Sequence, residues 1–215
     1  MGDARRIVVG ECTRAEADAL VRAHHYSGAV RAQSRLHLGV WLDGVLLGAM
    51  QWGPPLDQRM VLGIVPGTRW DGVIELHRMA FAPELPRNAE SRALGMVLRA
   101  MRRSAPWIEW ALTYADGGRS GTGVIYRASG WLLTGATRGA TFWRAPDGRT
   151  VSTFGLRDPG AMRDRYGLTD ARPTTLRAAG FEPMTCTQYR YIFPLQPGVR
   201  ERIAVPVLPY ERARC

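Results

Sequence analysis

The alternation of apolar and polar positions predicts a central strand that ends at Asp116. Every second residue before it is apolar or aromatic, as is typical of a β-strand: Ile108, Trp110, Leu112 and Tyr114. Four of the next seven residues are glycine, which allows a tight turn and a close approach of a ligand to the backbone. Because open α/β sheets bind ligands at the carboxyl ends of their strands, Asp116 is a candidate site residue. The alternative is a simple turn in which Asp116 caps the next helix.

Strands and helices alternate along the rest of the chain. Thr13 and Glu16 have the spacing of a capping box, which starts a helix that ends near His25. The dipeptide Asp43-Gly44 is typical of the two-residue turn of a β-hairpin. The stretch 56–71 is predicted to have no regular secondary structure. In chain order the pattern predicts a strand over 6–11, a helix over 13–25, strands over 36–42, 45–52 and 72–81, a helix over 88–103, a helix over 123–129, strands over 131–137, 141–145 and 150–154, short helices over 161–166 and 175–179, and a strand over 189–195.

The length of 215 residues is typical of one domain with a full hydrophobic core. The mixture of strands and helices predicts an α/β fold. We expect a catalytic domain over 1–195 and a tail rich in proline and arginine over 196–215. Prolines recur in that tail, which favours an arm rather than core: Pro197, Pro206 and Pro209.

The charge balance points to an anionic partner. The net charge is +10, and all 29 basic residues are arginine. Arginine binds phosphate through bidentate contacts, so this excess favours a nucleic-acid partner. A GC-rich genome explains the missing lysines but not the excess of positive charge. Without lysine the chain has neither a Schiff-base lysine nor the lysine of a phosphate-binding P-loop.

The sequence favours a cytoplasmic protein with no membrane partner. No apolar run approaches the roughly 20 residues of a membrane span. The N-terminus lacks the apolar region and cleavage site of a signal peptide. Three cysteines without a Cys-x-x-Cys pair argue against a disulfide framework or a structural zinc site and favour a reducing compartment. The oligomeric state stays open, with a homodimer as one option.

Two further stretches carry candidate chemistry. His24, His25 and Tyr26 end the first helix, and imidazole and phenol both transfer protons and bind metals. The alternative is a histidine satisfied within the core. The start of the long helix, at Arg87–Arg92, offers free amides, the helix dipole and arginine for an anion. Here the alternative is an ordinary capped helix with solvated arginines.

The order of the predicted elements resembles the fold of GNAT acyltransferases, in which acetyl-coenzyme A lies between two central strands of a mixed, twisted sheet flanked by helices. In this chain those strands are 72–81 and 108–116. Four fragments in order are also similar to the Mom family of phage DNA-modification proteins, over about 13–135: His25–Gly28, Glu75–Ala80, Asn88–Arg92, and Tyr114–Asp116 with Ile125–Trp131.

The Mom resemblance implies an enzyme that converts adenine in double-stranded DNA to N6-carbamoylmethyladenine, which protects phage DNA from restriction. It implies acetyl-coenzyme A as donor, and iron (Fe²⁺). By motif match, the catalytic residues and iron ligands are His25, Tyr26, Asp116 and Tyr126. The expected cofactor-binding residues are Met79, Phe81, Arg87, Asn88, Ser91 and Arg92.

Three interpretations therefore compete. Besides a DNA-modifying enzyme, the chain fits an N-acetyltransferase for a small amine or a non-catalytic DNA-binding protein that masks restriction sites. Adenine N6 takes part in base pairing, so an enzyme that modifies it has to flip the base out. Candidates for stacking on that base, each also a candidate core residue, are Trp52, Trp70 and Trp131.

Overall fold

The computed structural model describes residues 3–118, 121–152, 156 and 164–210. Within them the strands are β1 (Ile7–Glu11), β2 (Leu36–Leu42), β3 (Val45–Gly53), β4 (Val73–Phe81), β5 (Trp110–Asp116), β6 (Leu132–Arg144), β7 (Thr150–Ser152) and β8 (Glu182–Pro194). The helices are α1 (Arg14–His24), α2 (Gln58–Leu62), α3 (Ala89–Ser104), α4 (Val124–Ala128) and α5 (Pro173–Ala178). None of these helices is long and apolar enough to cross a bilayer.

All eight strands form one sheet in the order β1-β2-β3-β4-β5-β8-β6-β7. Only β4 and β5 run parallel, and every other neighbouring pair is antiparallel. The predicted α/β fold with a central mixed sheet and flanking helices is confirmed.

Local sequence signals account for the first half of the sheet. The Thr13 hydroxyl accepts from the Glu16 amide, and the Glu16 carboxylate accepts from the Thr13 amide at 2.8 Å. This capping box starts α1 as predicted. Asp43 and Gly44 both have positive φ angles, as the tight turn between β2 and β3 requires.

Apolar side chains pack on both faces of the sheet. On one face, α3 contributes Leu94, Val97 and Leu98 to the main cluster. On the other face, Val61 and Ile64 at α2 pack with residues that include Trp110 and Leu112. Because side chains alternate along a strand, β5 sends Ala111 and Ala115 to the α3 face and Trp110 and Leu112 to the α2 face.

The structure differs from the predicted elements in three ways. The predicted strands 131–137 and 141–145 form one strand, β6, whose pairing is irregular between Gly139 and Phe142. Glycine interrupted the apolar alternation there. Strand β8 starts seven residues earlier than predicted, and α2 lies inside the stretch expected to be irregular. The first half of the predicted helix 161–166 and the end of the strand 150–154 lie outside the described residues.

The C-terminal segment packs on the domain as far as residue 210. Val199 is buried. The Ala204 amide donates to the Ile64 carbonyl at 2.9 Å, and the Leu208 amide donates to the Leu133 carbonyl at 2.8 Å. The described part of the expected arm therefore lies along the sheet.

Candidate active site

Strands β4 and β5 diverge like a fork. Their parallel pairing runs from Val73 opposite Trp110 to Leu76 opposite Thr113. Beyond that point β4 continues to Phe81 and β5 to Asp116, with β3 and β8 as their respective neighbours. The fork opens at the carboxyl ends of both strands, where α/β sheets bind ligands.

A bulge in β4 lies at the start of this fork. Leu76 is opposite Trp52 and Arg78 is opposite Gln51, so that His77 is an extra residue on β4. Bulges bend a strand and redirect its side chains, and they are common next to active sites. The bulge thus accounts for the separation of β4 from β5.

Tyr126 reaches the fork from α4. Its ring packs against Trp131 at 5.6 Å and Tyr191 at 5.4 Å between centroids. Its phenol forms a hydrogen bond with the Thr113 side chain, and the Thr113 hydroxyl donates to the Leu76 carbonyl at 3.2 Å. Burial raises the pKa of Tyr126, so this phenol stays protonated at neutral pH.

His25 and Tyr26 follow directly after α1. The Nδ1 atom of His25 is 2.8 Å from the Ser27 hydroxyl, and the His25 and Tyr26 rings stack at 4.2 Å. Tyr26 is 39% exposed. Its phenol interacts electrostatically with both Tyr126 and Arg78, although burial dominates the pKa of each: it raises that of Tyr126 and lowers that of Arg78 to about 10. The end of α1 and the start of α4 therefore lie near each other, although 100 positions separate Tyr26 from Tyr126.

Asp116 is the buried last residue of β5. Its Oδ1 atom accepts from the Gly118 amide at 3.0 Å, so the glycine-rich turn is closed by an Asx-type hydrogen bond. The phenol of Tyr126 contacts β5 at Thr113, three residues before Asp116, and the alternation of side chains along the strand places Thr113 and Asp116 on opposite faces. The convergence of Asp116 with His25, Tyr26 and Tyr126 on one reacting atom stays a prediction.

A buried carboxyl group whose role the sequence did not reveal lies just before the fork, in the paired part of β4. Glu75 is 8% exposed and accepts from the Leu56 amide. Burial raises the pKa of Glu75 to about 7, although Arg31 and Arg78 favour its ionised form. A strongly shifted pKa in a cleft is typical of functional sites. The sequence did contain one indication of this role: charged residues stand in an otherwise apolar strand, within the fragment Glu75–Ala80.

Arg78 and His77 connect the loop after α1 to β4. Arg78 Nε donates to the Ala29 carbonyl at 2.8 Å. The His77 Nδ1 atom is 2.9 Å from the Ser34 hydroxyl, and Nε2 donates to the Pro54 carbonyl at 3.0 Å. Burial lowers the pKa of His77 to about 4, so this imidazole is neutral and acts as a structural link.

The start of α3 differs from the expected capped helix. Asn88 has a φ of 68° and makes no side-chain cap, while the Ser91 hydroxyl donates to the Asn88 carbonyl at 3.2 Å. Arg87 and Arg92 are exposed, and the first-turn amides of a helix have no partner within it. Met79 and Phe81 pack their side chains against the main cluster, which leaves the fork-side backbone of β4 for a ligand.

Acetyl-coenzyme A fits this arrangement better than iron does. A groove of about 350 Å³ begins at Asn88 and Ser91 and continues along α3. By contrast, no group of three His, Cys, Asp or Glu side chains in the described part of the chain could hold a metal ion. The predicted iron ligands include two tyrosines and only two residues of those types. The geometry gives iron no support, and no step below depends on a metal.

The tryptophans divide between core and surface. Trp52 and Trp131 are fully buried in the main cluster, so they are core residues and not stacking platforms. Trp70 is 63% exposed but precedes the amino end of β4, opposite the opening of the fork. Tyr26 is the exposed aromatic ring at the opening itself.

Comparisons with known proteins agree with this fold and order of residues. The model of the Mom protein family matches residues 6–212. A protein of Escherichia phage Mu named methylcarbamoylase mom is 33% identical over 186 residues, which are 86% of this chain and 73% of that relative.

Solved structures show the fold at much lower identity. An N-acetyltransferase from Staphylococcus aureus Mu50 is 8% identical with a TM-score of 0.50, covering 88% of this chain and 99% of that one. A Salmonella typhimurium protein described as an acetyltransferase, solved with its cofactor acetyl-CoA, has the same identity and TM-score and covers 89% and 95%. The chain therefore belongs to the Mom protein family and has the GNAT acetyltransferase fold.

Proposed function

We propose that this protein is a phage DNA-modification enzyme that converts adenine in duplex DNA to N6-carbamoylmethyladenine and so protects the DNA from restriction. The observation that carries the proposal is the family match over residues 6–212, together with 33% identity to a phage Mu protein named methylcarbamoylase. The net charge of +10 supports a DNA substrate, since such an excess of arginine favours phosphate contacts.

Acetyl-coenzyme A is the proposed donor. The first-turn amides of α3 and Arg92 hold its pyrophosphate, because a helix N-terminus and a guanidinium both stabilise an anion. From there the acyl arm enters the fork between β4 and β5. The ring packing around Tyr126 excludes water from the closed end of the fork.

The flipped adenine approaches from the side of α1. Tyr26 stacks on the base, since its ring is exposed at the opening and already stacks on His25. The Asp116 carboxylate is the proposed acceptor of the proton that N6 loses. The protonated phenol of Tyr126 donates a hydrogen bond to the donor in the fork.

Nucleoside mass spectrometry of host DNA tests the proposal directly. Cells that express the protein are expected to contain a deoxyadenosine whose mass is increased by the carbamoylmethyl group. A small-amine acetyltransferase would leave the DNA unmodified and acetylate an amine instead. A non-catalytic DNA-binding protein would bind DNA without any new nucleoside, so unmodified DNA with abundant folded protein contradicts the proposal.

Donor binding is expected to depend on Arg92. In titration calorimetry with acetyl-coenzyme A, Arg92→Glu should weaken binding by at least about tenfold, because it replaces a charge-assisted hydrogen bond with repulsion. Arg103→Glu makes the same charge change near the other end of α3 and is expected to bind like the wild type. Equal affinities for all three proteins would place the donor elsewhere.

DNA binding is expected to be electrostatic and weakly selective for sequence. If about four phosphates are neutralised, the logarithm of the affinity falls with the logarithm of salt concentration with a slope of roughly −3.6. Arg35 is exposed in the loop after α1, so Arg35→Ala should reduce that slope by about one. Arg149→Ala is the control, because Arg149 lies in the turn between β6 and β7, at the other edge of the sheet from Arg35. Its slope should match that of the wild type. A flat salt dependence would contradict a phosphate-based interface.

A further inference from the structure

Hydrogen bonds fix the backbone of the loop between α1 and β2 on both sides of Arg31. On one side, Arg78 Nε on β4 donates to the Ala29 carbonyl at 2.8 Å. On the other side, Arg14 Nη2 on α1 donates to the carbonyls of Arg31 and Ala32 at 3.2 and 2.9 Å. The side chain of Arg31 therefore projects from a backbone position that two neighbouring elements hold in place.

The rest of this loop packs directly on the sheet. A Cβ at Gly53, the last residue of β3, would lie 2.7 Å from the Gln33 carbonyl oxygen and 3.1 Å from the Ser34 Cα. Glycine within a strand often marks such a close approach of another backbone. Ser34 is buried, and its hydroxyl lies 2.9 Å from Nδ1 of His77. The loop is thus anchored to β3 and β4 along its length.

Two arginines lie near each other where this loop meets β4. Arg31 is partly buried and acts electrostatically on Arg78, although burial is the main cause that lowers the pKa of Arg78 to about 10. Among the described residues, neither guanidinium takes part in an ion pair within 4 Å. The Arg78 guanidinium donates instead to the backbone carbonyls of Ala29 and His77. A buried cation beside a second cation, with no paired carboxylate, is energetically costly.

Glu75 neutralises these two arginines only in part. Arg31 and Arg78 both act electrostatically on its carboxyl group, yet burial raises the pKa of Glu75 to about 7. Near neutral pH the group is therefore only partly ionised. Its hydrogen bond comes from the Leu56 amide. The excess positive charge of the two guanidiniums favours an anion from outside the protein, and a phosphate matches the geometry of guanidinium donors.

The ring of Tyr26 lies next to this excess of charge. Tyr26 is 39% exposed, and its phenol acts electrostatically on Arg78. Tyr26 is also the residue proposed above to stack on the flipped adenine. A flipped nucleotide turns about its own backbone, so its phosphates stay joined to the base that Tyr26 holds. The two guanidiniums therefore lie on the side of the site where the DNA backbone enters.

We propose that Arg31 and Arg78 form a phosphate clamp, which binds the phosphodiester group next to the flipped adenine of the target strand. The proposal rests on DNA as the substrate of the proposed function. It adds to the non-selective phosphate contacts one contact that forms only when the base has left the stack. The clamp thereby couples base flipping to tight binding, and it excludes free adenine and adenosine, which carry no phosphodiester.

The test combines protein variants with DNA backbones that lack one charge. Fluorescence anisotropy at fixed salt measures binding of a fully paired duplex and of a duplex in which one adenine faces an abasic position, since an unpaired base flips at lower cost. In two further versions of the second duplex, a neutral methylphosphonate replaces the phosphate on the 5′ or the 3′ side of that adenine. The proteins are the wild type, Arg31→Ala and the control Arg35→Ala, which removes the same charge from an exposed position in the same loop.

We expect one of the two neutral linkages to weaken wild-type binding by about tenfold, which corresponds to the loss of one charge-assisted phosphate contact. Arg31→Ala should weaken binding of the unpaired-adenine duplex by a similar factor, with no further loss from the neutral linkage, because both changes remove the same contact. Arg35→Ala should weaken binding of paired and unpaired duplexes alike and should keep its response to the neutral linkage. The loop is anchored through the carbonyls of Ala29, Arg31 and Ala32, so truncation of the Arg31 side chain leaves these anchors in place.

The outcomes separate the clamp from the proposed function. If Arg31→Ala weakens binding of all duplexes equally, or if neither neutral linkage affects the wild type, the clamp is wrong while DNA remains the substrate. If the wild type binds no duplex, the clamp and the proposed function are both wrong. Titration calorimetry with acetyl-coenzyme A provides the last arm. If Arg31→Ala weakens acetyl-coenzyme A binding and leaves duplex binding unchanged, the arginines hold a phosphate of the donor and the clamp is overturned.

Discussion

Asp116→Asn is expected to abolish adenine modification while the fold and the bulk affinity for DNA stay close to those of the wild type. The substitution removes the carboxylate that we propose as the acceptor of the N6 proton. Loss of a proton-transfer group costs roughly 100-fold or more in rate. Nucleoside mass spectrometry of DNA from expressing cells measures the effect.

The structure explains why the fold should tolerate this change. Asparagine keeps an Oδ1 acceptor for the Gly118 amide, so the turn after β5 retains its hydrogen bond. It also removes a charge from a buried position, where an ionised group is costly. Thermal unfolding and duplex binding at fixed salt check both points.

Asp18→Asn is the matched control. Asp18 accepts a hydrogen bond from the Gln51 side chain at 2.6 Å, and it lies in the middle of α1, with this partner on β3 and not on either strand of the fork. Its substitution removes one carboxylate charge without touching the proposed reacting atoms, so modification should persist. Wild-type modification by Asp116→Asn, or equal loss in both variants, would show that the carboxylate at the end of β5 has no chemical role.

Sequence patterns predicted those helices, strands and turns that are specified by residues close together in the chain. The period of two before Asp116 placed the end of β5, and the Thr13 capping box and the Asp43-Gly44 turn placed α1 and the β2–β3 hairpin. Such signals rest on local hydrogen bonds and side-chain alternation. Helix α2, with five residues, is too short to show a helical period.

Features that depend on distant partners could not be predicted in this way. The bulge at His77 is set by the register between β3 and β4, which no local pattern specifies. The raised pKa of Glu75 follows from its burial, and the Leu56 amide that donates to its carboxyl group lies in the stretch predicted to be irregular. Asn88 fits the composition of a helix cap, but its positive φ turns the side chain away from the first-turn amides.

The candidate site combines both kinds of information. His25, Tyr26, Asp116 and Tyr126 came from the family resemblance and from helix and strand ends. Their relation to one another comes from tertiary structure, because the Tyr126 phenol reaches Thr113 only when α4 packs on the α3 face of the sheet. Residues such as Arg78, which tie the α1 loop to β4, are found only by following these contacts.

Tyr126→Phe is expected to reduce modification by roughly 100-fold, because it removes the hydroxyl that reaches the closed end of the fork. Tyr191→Phe is the matched control. The Tyr191 phenol donates to the Thr122 carbonyl, and its ring packs against Tyr126. That variant should lose about 1 kcal/mol of unfolding free energy but keep its activity.

The comparison of the two phenylalanine variants separates chemistry from packing. Each keeps its ring, so the aromatic cluster of Tyr126, Trp131 and Tyr191 stays filled. Thermal unfolding and nucleoside mass spectrometry are measured on both proteins. If Tyr126→Phe modifies DNA as well as Tyr191→Phe does, the phenol in the fork is a packing group. If Tyr126→Phe alone loses activity while its stability matches the control, the hydroxyl takes part in the transfer.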